Sequence, residues 1–142
     1  MPSRVRRNSV TVFSAPGFPS VTSVPFNIPG PPSPILGVTG NTNYGSVCIG
    51  SLASQTYTIT NTGTVAASGV SVVSSNNSEF TVSGLSSTTI AGNGGTATYN
   101  VTFNPSAAGT RTSTVTVTST TSGSNSVVNN LTGTGVTAIN GA

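Results

Sequence analysis

From about Leu36 onward the chain is written in short runs of alternating apolar and polar residues, divided by Gly, Asn and Pro. A period of two places alternate side chains on opposite faces of an extended strand. The clearest run is TATYNVTF, in which Ala97, Tyr99, Val101 and Phe103 share one face. Asn104-Pro105 ends it, because Pro cannot donate to a ladder. SQTYTITNTG directs Tyr57 and Ile59 inward and Thr56, Thr58 and Thr60 outward, with Asn61-Thr62-Gly63 as the closing turn. A first strand pair is expected near 36–40 and 44–49, with Tyr44, Val47 and Ile49 in the core. Further inward positions are Val70 and Val72, Phe80 and Val82 of SEFTV, Val115 and Val117, and Val127 and Leu131. Thr88 to Ile90 reads as a short edge piece before the turn Gly92-Asn93-Gly94-Gly95. Helix signals are absent: β-branched Thr and Val dominate and no long window has a 3.6-residue period. Seven or more strands at this spacing predict an all-β fold, an immunoglobulin-like β-sandwich over residues 36–142.

Residues 1–35 follow a different rule. Prolines at 16, 19, 25, 29, 31, 32 and 34 remove backbone donors and fix φ, so no helix or central strand runs through them. The sequence predicts an extended Pro-rich arm with polyproline II character between Pro25 and Pro34. Phe13, Phe18, Val21, Val24, Phe26 and Ile28 are spaced among the prolines as candidate apolar anchors. VTVF at 10–13 and SVTSV at 20–24 have the composition to add a strand to a partner's sheet edge. Such an arm buries too little of itself to be held still alone, and at about 3.1 Å per residue it reaches on the order of 100 Å. A partner-binding arm is therefore expected, the other reading being a flexible linker.

Composition narrows the chemistry. Glu79 and four arginines (Arg4, Arg6, Arg7 and Arg111) are the whole ionised side-chain inventory, with no His. One carboxylate cannot form the titratable pair that general acid–base catalysis needs. One Cys and one Glu cannot close a zinc site or a calcium loop, and no base is present to activate a Ser, Thr or Cys. A non-enzyme without cofactor or metal is expected. The charged fraction of 4% leaves solubility to Ser, Thr, Asn and Gly. The net charge of +3 comes almost wholly from Arg4, Arg6 and Arg7, which suit an acidic protein groove, a solvated terminus or, less well without interleaved aromatics, nucleic acid. Cys48 is alone and reads as a small buried hydrophobe, the other reading being an intermolecular bridge. MPSRVRR mimics the start of a signal peptide, but no continuous apolar run follows, so secretion by that route is not expected; nor does any segment have the length of a membrane span.

Several elements in order carry a resemblance: Tyr44-Gly45-x-Val47 with Gly50, Ile59-x-Asn61-x-Gly63, Phe80, Phe103-x-Pro105 with Gly109, and Leu131-x-Gly133-x-Gly135. Asn61 and Gly63 suit turn positions with positive φ, Phe103 suits a core plug, and Pro105 with Gly109 suits a strand connection. Over about residues 42–135 this series resembles the ASH-type (ASPM, SPD, Hydin) immunoglobulin-like domains, which recur in bacterial surface proteins and in phage proteins. The resemblance implies a binding or scaffolding module with no catalytic residues to carry over. A small sandwich with an anchoring arm further resembles the decoration (cement) proteins of tailed phage heads. That setting implies a structural virion protein on the capsid exterior, assembled in the host cytoplasm. Its partner would be the major capsid protein, and Arg4, Arg6, Arg7, Phe13, Phe18, Phe26 and Ile28 would be the partner-binding residues. By analogy it would be a homo-oligomer, a trimer being the expectation. The outward Thr/Ser/Asn face could also touch host glycans. A phage tail or baseplate protein, or a secreted bacterial cell-surface adhesion module, are the alternative readings.

Overall fold

The structure is a computed structural model that describes residues 31–138. Eight strands follow in order: β1 (Leu36–Thr39), β2 (Asn43–Cys48), β3 (Ala53–Asn61), β4 (Ser71–Ser74), β5 (Phe80–Ser83), β6 (Gly95–Phe103), β7 (Gly109–Thr118) and β8 (Val127–Val136). They form two four-stranded sheets with the orders β1-β3-β6-β5 and β2-β8-β7-β4. Neighbours are antiparallel except β2, which runs parallel to β8. The period-two pattern decides which faces meet: Tyr57 and Ile59 on β3, Ala97, Tyr99, Val101 and Phe103 on β6, Val115 and Val117 on β7, and Leu131 on β8 are all buried. The expected all-β immunoglobulin-like sandwich is the observed architecture.

Three sequence expectations are corrected. The segments 36–40 and 44–49 do not pair with each other; β1 pairs with β3 in one sheet and β2 with β8 in the other. Three intervening residues, the first of them Gly40 with a φ of +152°, carry the chain across the sandwich instead of back along itself. Ile49 is exposed, because β2 ends at Cys48 and Ile49 enters a tight turn closed by the Ser51 amide donating to the Cys48 carbonyl at 2.9 Å. Cys48 is exposed as well, on the opposite face from buried Val47.

Aromatic rings fill the interior in two groups. Tyr57 and Tyr99 face each other across β3 and β6 and stack with centroids 5.2 Å apart. Phe80 and Phe103 face each other across β5 and β6 and stack at 4.6 Å. Tyr44 comes from the other sheet and meets Phe80 edge to face at 5.6 Å and Phe103 at 5.7 Å, geometries that rings prefer for electrostatic reasons. Its hydroxyl donates to the Val101 carbonyl at 2.9 Å, so one side chain ties the sheets by both packing and a hydrogen bond. The Tyr57 hydroxyl donates to the Asn41 carbonyl at 2.6 Å and lies 3.1 Å from the Tyr44 hydroxyl. Burial pushes all three phenols up, that of Tyr99 to about 12.

Room for these rings comes from glycine on the facing strand. A Cβ on Gly133 would run into the Phe103 ring, and one on Gly135 would meet Pro105 and the Ala107 carbonyl. The spacing Leu131-x-Gly133-x-Gly135 is thus one inward-facing row, large then absent then absent, against which Phe103 and the β6–β7 connection settle. Gly133→Ala is expected to destabilise the fold by about 1–3 kcal/mol through overpacking. Gly37→Ala, where an added Cβ meets nothing within 4 Å, should leave the melting temperature nearly unchanged. Thermal unfolding of the two variants checks this.

Candidate functional site

Arg4, Arg6, Arg7, Phe13, Phe18, Phe26 and Ile28, the residues that the sequence offers for partner binding, lie outside the described residues. What is described is the place where that segment joins the sandwich. Pro34 is fully buried and Ile35 is 54% exposed, so the chain turns from the core to the surface within one residue. The Ile35 amide donates to Asn61 Oδ1 at 3.0 Å, and the Thr62 amide donates to the Ile35 carbonyl at 2.9 Å. Asn125 acts as a surrogate strand for Leu36: its Oδ1 accepts from the Leu36 amide at 2.8 Å, and its Nδ2 donates to the Leu36 carbonyl at 3.0 Å. Gly63 and Gly123 stand where a side chain would strike Ser33.

Asn61 is the centre of this joint. Fully buried at the end of β3, its Oδ1 also accepts from the Gly63 amide at 3.1 Å, while its Nδ2 donates to the carbonyls of Val65 at 2.8 Å and Ile90 at 3.1 Å. One side-chain amide therefore binds the joint, its own turn and the piece before β6. The expectation of positive φ at Asn61 and Gly63 is corrected: positive φ falls on Asn93, at 62°, and on other glycines. Asn61 continues the inward parity of Tyr57 and Ile59, and Gly63 is small because the backbone of 33–35 passes over it. That parity was the available signal for a buried Asn; nothing local announced Asn125, which lies 89 residues from Leu36.

Among the described residues the ionised side chains form one cluster. Glu79, 3% exposed, accepts from Arg111 Nε and Nη2 and from Asn76 Nδ2, all on Oε1 at 2.9–3.0 Å, while the Ser106 amide and hydroxyl donate to Oε2 at 2.7 and 2.6 Å. The Arg111 guanidinium first, then Ser106, hold the carboxyl down at about 2 despite burial. The cluster joins the β4–β5 turn to the β6–β7 connection and to β7, across the two sheets.

The outer faces are uncharged. On β7, Thr110, Thr112, Thr114, Thr116 and Thr118 alternate with inward residues, and Thr132 and Thr134 of β8 lie opposite Thr112 and Thr110. On the other sheet Thr58 and Thr60 face Thr98 and Thr96. Every Tyr and Phe of the described residues is buried. The large apolar side chains left exposed are Ile35, Ile49, Leu52, Val73 and Val128. No pocket opens among the described residues, and no group of three or more His, Cys, Asp or Glu comes together there.

Two outcomes follow. Asn61→Ala leaves several buried backbone groups without partners and is expected to destabilise by more than about 2 kcal/mol. Amide hydrogen exchange should show the loss of protection concentrated at Ile35, Thr62 and Gly63. For pH, Glu79 titrates lower in the folded than in the unfolded chain, so its stabilisation is complete above about pH 4.5 and is lost as pH falls toward 2. Allowing for the partial exposure of Arg111, roughly 2 kcal/mol should disappear in that window. The buried tyrosines titrate higher in the folded chain, so a second decline is expected above about pH 10. Denaturant titrations of wild type and Glu79→Gln across pH 2–11 check both limbs: the acid limb flattens in the variant and the alkaline limb remains.

Comparison with known proteins places this geometry. A domain of human CEP192 described as ASH/PapD-like (PapD-like domain 7) superposes with a TM-score of 0.55 at 15% identity, covering 84% of this chain and 98% of that one. A family 123 glycoside hydrolase from Clostridium perfringens superposes with a TM-score of 0.52 at 13% identity, covering 73% of this chain but 27% of the hydrolase. At these identities the likeness is one of fold. Among curated proteins no match is found. The model of the HYDIN/CFA65/VesB-like Ig-like domain matches residues 34–134, from the buried Pro34 of the joint to Thr134 on β8. The chain belongs to this family of ASH-type immunoglobulin-like domains.

Proposed function

We propose that this protein is a non-catalytic structural component of a virion, a decoration protein that binds the major capsid protein of a tailed phage head through its N-terminal segment and one sandwich face. The observation that carries the reading is the fate of its charges. The chain has a single acidic side chain, and that carboxylate is buried in a cluster with Arg111. Arg4, Arg6 and Arg7 therefore find no free side-chain carboxylate on another copy and must look to a different, acidic protein surface. Each such exposed pair contributes only about 0–1 kcal/mol, so Phe13, Phe18, Phe26 and Ile28 supply most of the affinity.

The rest of the molecule fits a mechanical role. Thr-rich, uncharged faces meet a neighbour through shape and hydrogen bonds, and a segment clamped at Pro34–Leu36 transmits a pull on the arm directly into β1 and β3. The described outer faces carry no aromatic side chain on which a sugar ring could stack, so a protein shell is preferred to a glycan as the partner.

Co-sedimentation with purified capsids tests the proposal, using the full chain and a chain lacking residues 1–30, which leaves the joint at Ser33–Leu36 intact. Binding by the full chain that is lost or sharply weakened by the truncation is expected, with Arg4→Ala/Arg6→Ala/Arg7→Ala weakening it less. Equal binding by both chains would overturn the role of the segment, and binding by neither would overturn the capsid as partner.

A further inference from the structure

The sandwich has two unlike ends. At one, Asn61 closes β3 and clamps the entering chain. At the other, the turn Cys48-Ile49-Gly50-Ser51-Leu52 leads into β3, and within it Leu52 is 68% and Ile49 37% exposed, with Cys48 exposed beside them. A nine-residue strand separates these ends by about 30 Å. Tips of turns are ordinarily polar or glycine-rich, and two large apolar side chains in a five-residue turn, flanked by an exposed thiol, form a surface suited to being covered. The turn carries no charge, and residues 8–30 carry none either.

We propose that this turn is the seat for residues Phe18–Ile28 of a second copy of the chain, so that copies join head to tail. Thirty residues precede Pro31, and a proline-fixed chain advances at most about 3.1 Å per residue. Ile28 can then stand up to about 10 Å, and Phe18 up to about 40 Å, from the clamped joint, a range that covers roughly one sandwich length. That places Phe18, Phe26 and Ile28 within reach of an adjacent copy. Charge divides the segment: the neutral part matches the neutral turn, and the basic part has no counterpart on a second copy because Glu79 is occupied. Root and seat lie at opposite ends, so the contact is heterologous and closes into a ring if the rotation allows. The inference narrows the reading of the N-terminal segment as an anchor, giving Phe18, Phe26 and Ile28 to a second copy and leaving Arg4, Arg6, Arg7 and Phe13 to the capsid; it needs no capsid, and its test uses the purified protein alone.

Cys48 is the single cysteine of the chain and an exposed one, so it carries a photo-crosslinker without further mutation. A mixture of ¹⁵N-labelled and unlabelled full chains, each modified at Cys48 with benzophenone maleimide, is irradiated and the crosslinked peptides are identified by mass spectrometry. The expected product joins Cys48 of one isotopic form to residues 18–28 of the other. In parallel, sedimentation velocity of the unmodified protein is expected to show self-association that Leu52→Asp or Phe26→Ser weakens more than tenfold. Leu52 lies outside the buried core, and unchanged thermal unfolding verifies that each variant is folded. Crosslinks confined to one chain, crosslinks only to residues 36–138 of another, or a monomer at all concentrations would each overturn the proposal. Capsid binding by a protein that stays monomeric would overturn it while leaving the proposed function standing.

Discussion

The Glu79 side chain ties together three segments: the turn entering β5, the connection leaving β6, and β7 in the facing sheet. A buried carboxylate is strongly unfavourable unless each oxygen is bonded, and here both are. Oε1 receives Arg111 and Asn76, and Oε2 receives the amide and hydroxyl of Ser106. Because this is the one acidic side chain of the molecule, satisfying it internally removes negative charge from the entire side-chain surface. The threonine faces follow from that constraint. They must be wet without charge, and Thr does this while keeping the β-branching that suits a strand. Uncharged faces in turn leave the sandwich with little long-range pull on any partner, so specificity has to lie in contact chemistry, and the arginines of residues 4–7 are the chain's only electrostatic handle of any reach.

Much of this fold was legible because its strands obey one local rule. In β3, β6, β7 and β8 buried residues fall on every second position of one stretch of each strand: Tyr57 to Asn61, Ala97 to Phe103, Ser113 to Val117 and Leu131 to Gly135. The rule failed where a strand stops. Ile49 continues the parity of Val47, yet the parallel partner β8 ends at Val136, opposite Cys48, and past that point there is no sheet to bury against; Cys48 is exposed by parity alone. Strand partnership failed for a related reason. A short connection between two strands suggests a hairpin, whereas here the first strands belong to different sheets, a choice made by contacts with β3 and β8 that lie far along the chain.

The site was less legible than the fold, and Asn61 and Asn125 show why. An Asn in Asn-Thr-Gly invites a turn assignment because its side chain bonds nearby backbone so readily. Asn61 does bond its own turn, at Gly63 and Val65, but the same amide also reaches Ile35 and Ile90, which only the folded chain brings close. Asn125 substitutes for a missing strand neighbour of Leu36, a role defined wholly by tertiary position. The glycines divide in the same way. Gly50 and Gly109 have positive φ and could be read as conformational, whereas Gly63, Gly133 and Gly135 are small because of what lies above them, which no local pattern states.

The clamped joint alters what a flexible-looking segment can do. A tether that leaves a domain through a mobile linker samples a large volume and contributes little beyond its own contacts. A tether fixed at Pro34 and held by two asparagine side chains starts from a defined point on the rigid sandwich. Fold alone does not assign a task to this family, since the same sandwich serves unrelated proteins. This member couples a sandwich whose one side-chain carboxylate is satisfied internally to a segment that carries Arg4, Arg6 and Arg7 ahead of Phe13, Phe18, Phe26 and Ile28 in the sequence, with the joint at Pro34–Leu36 held by Asn61 and Asn125.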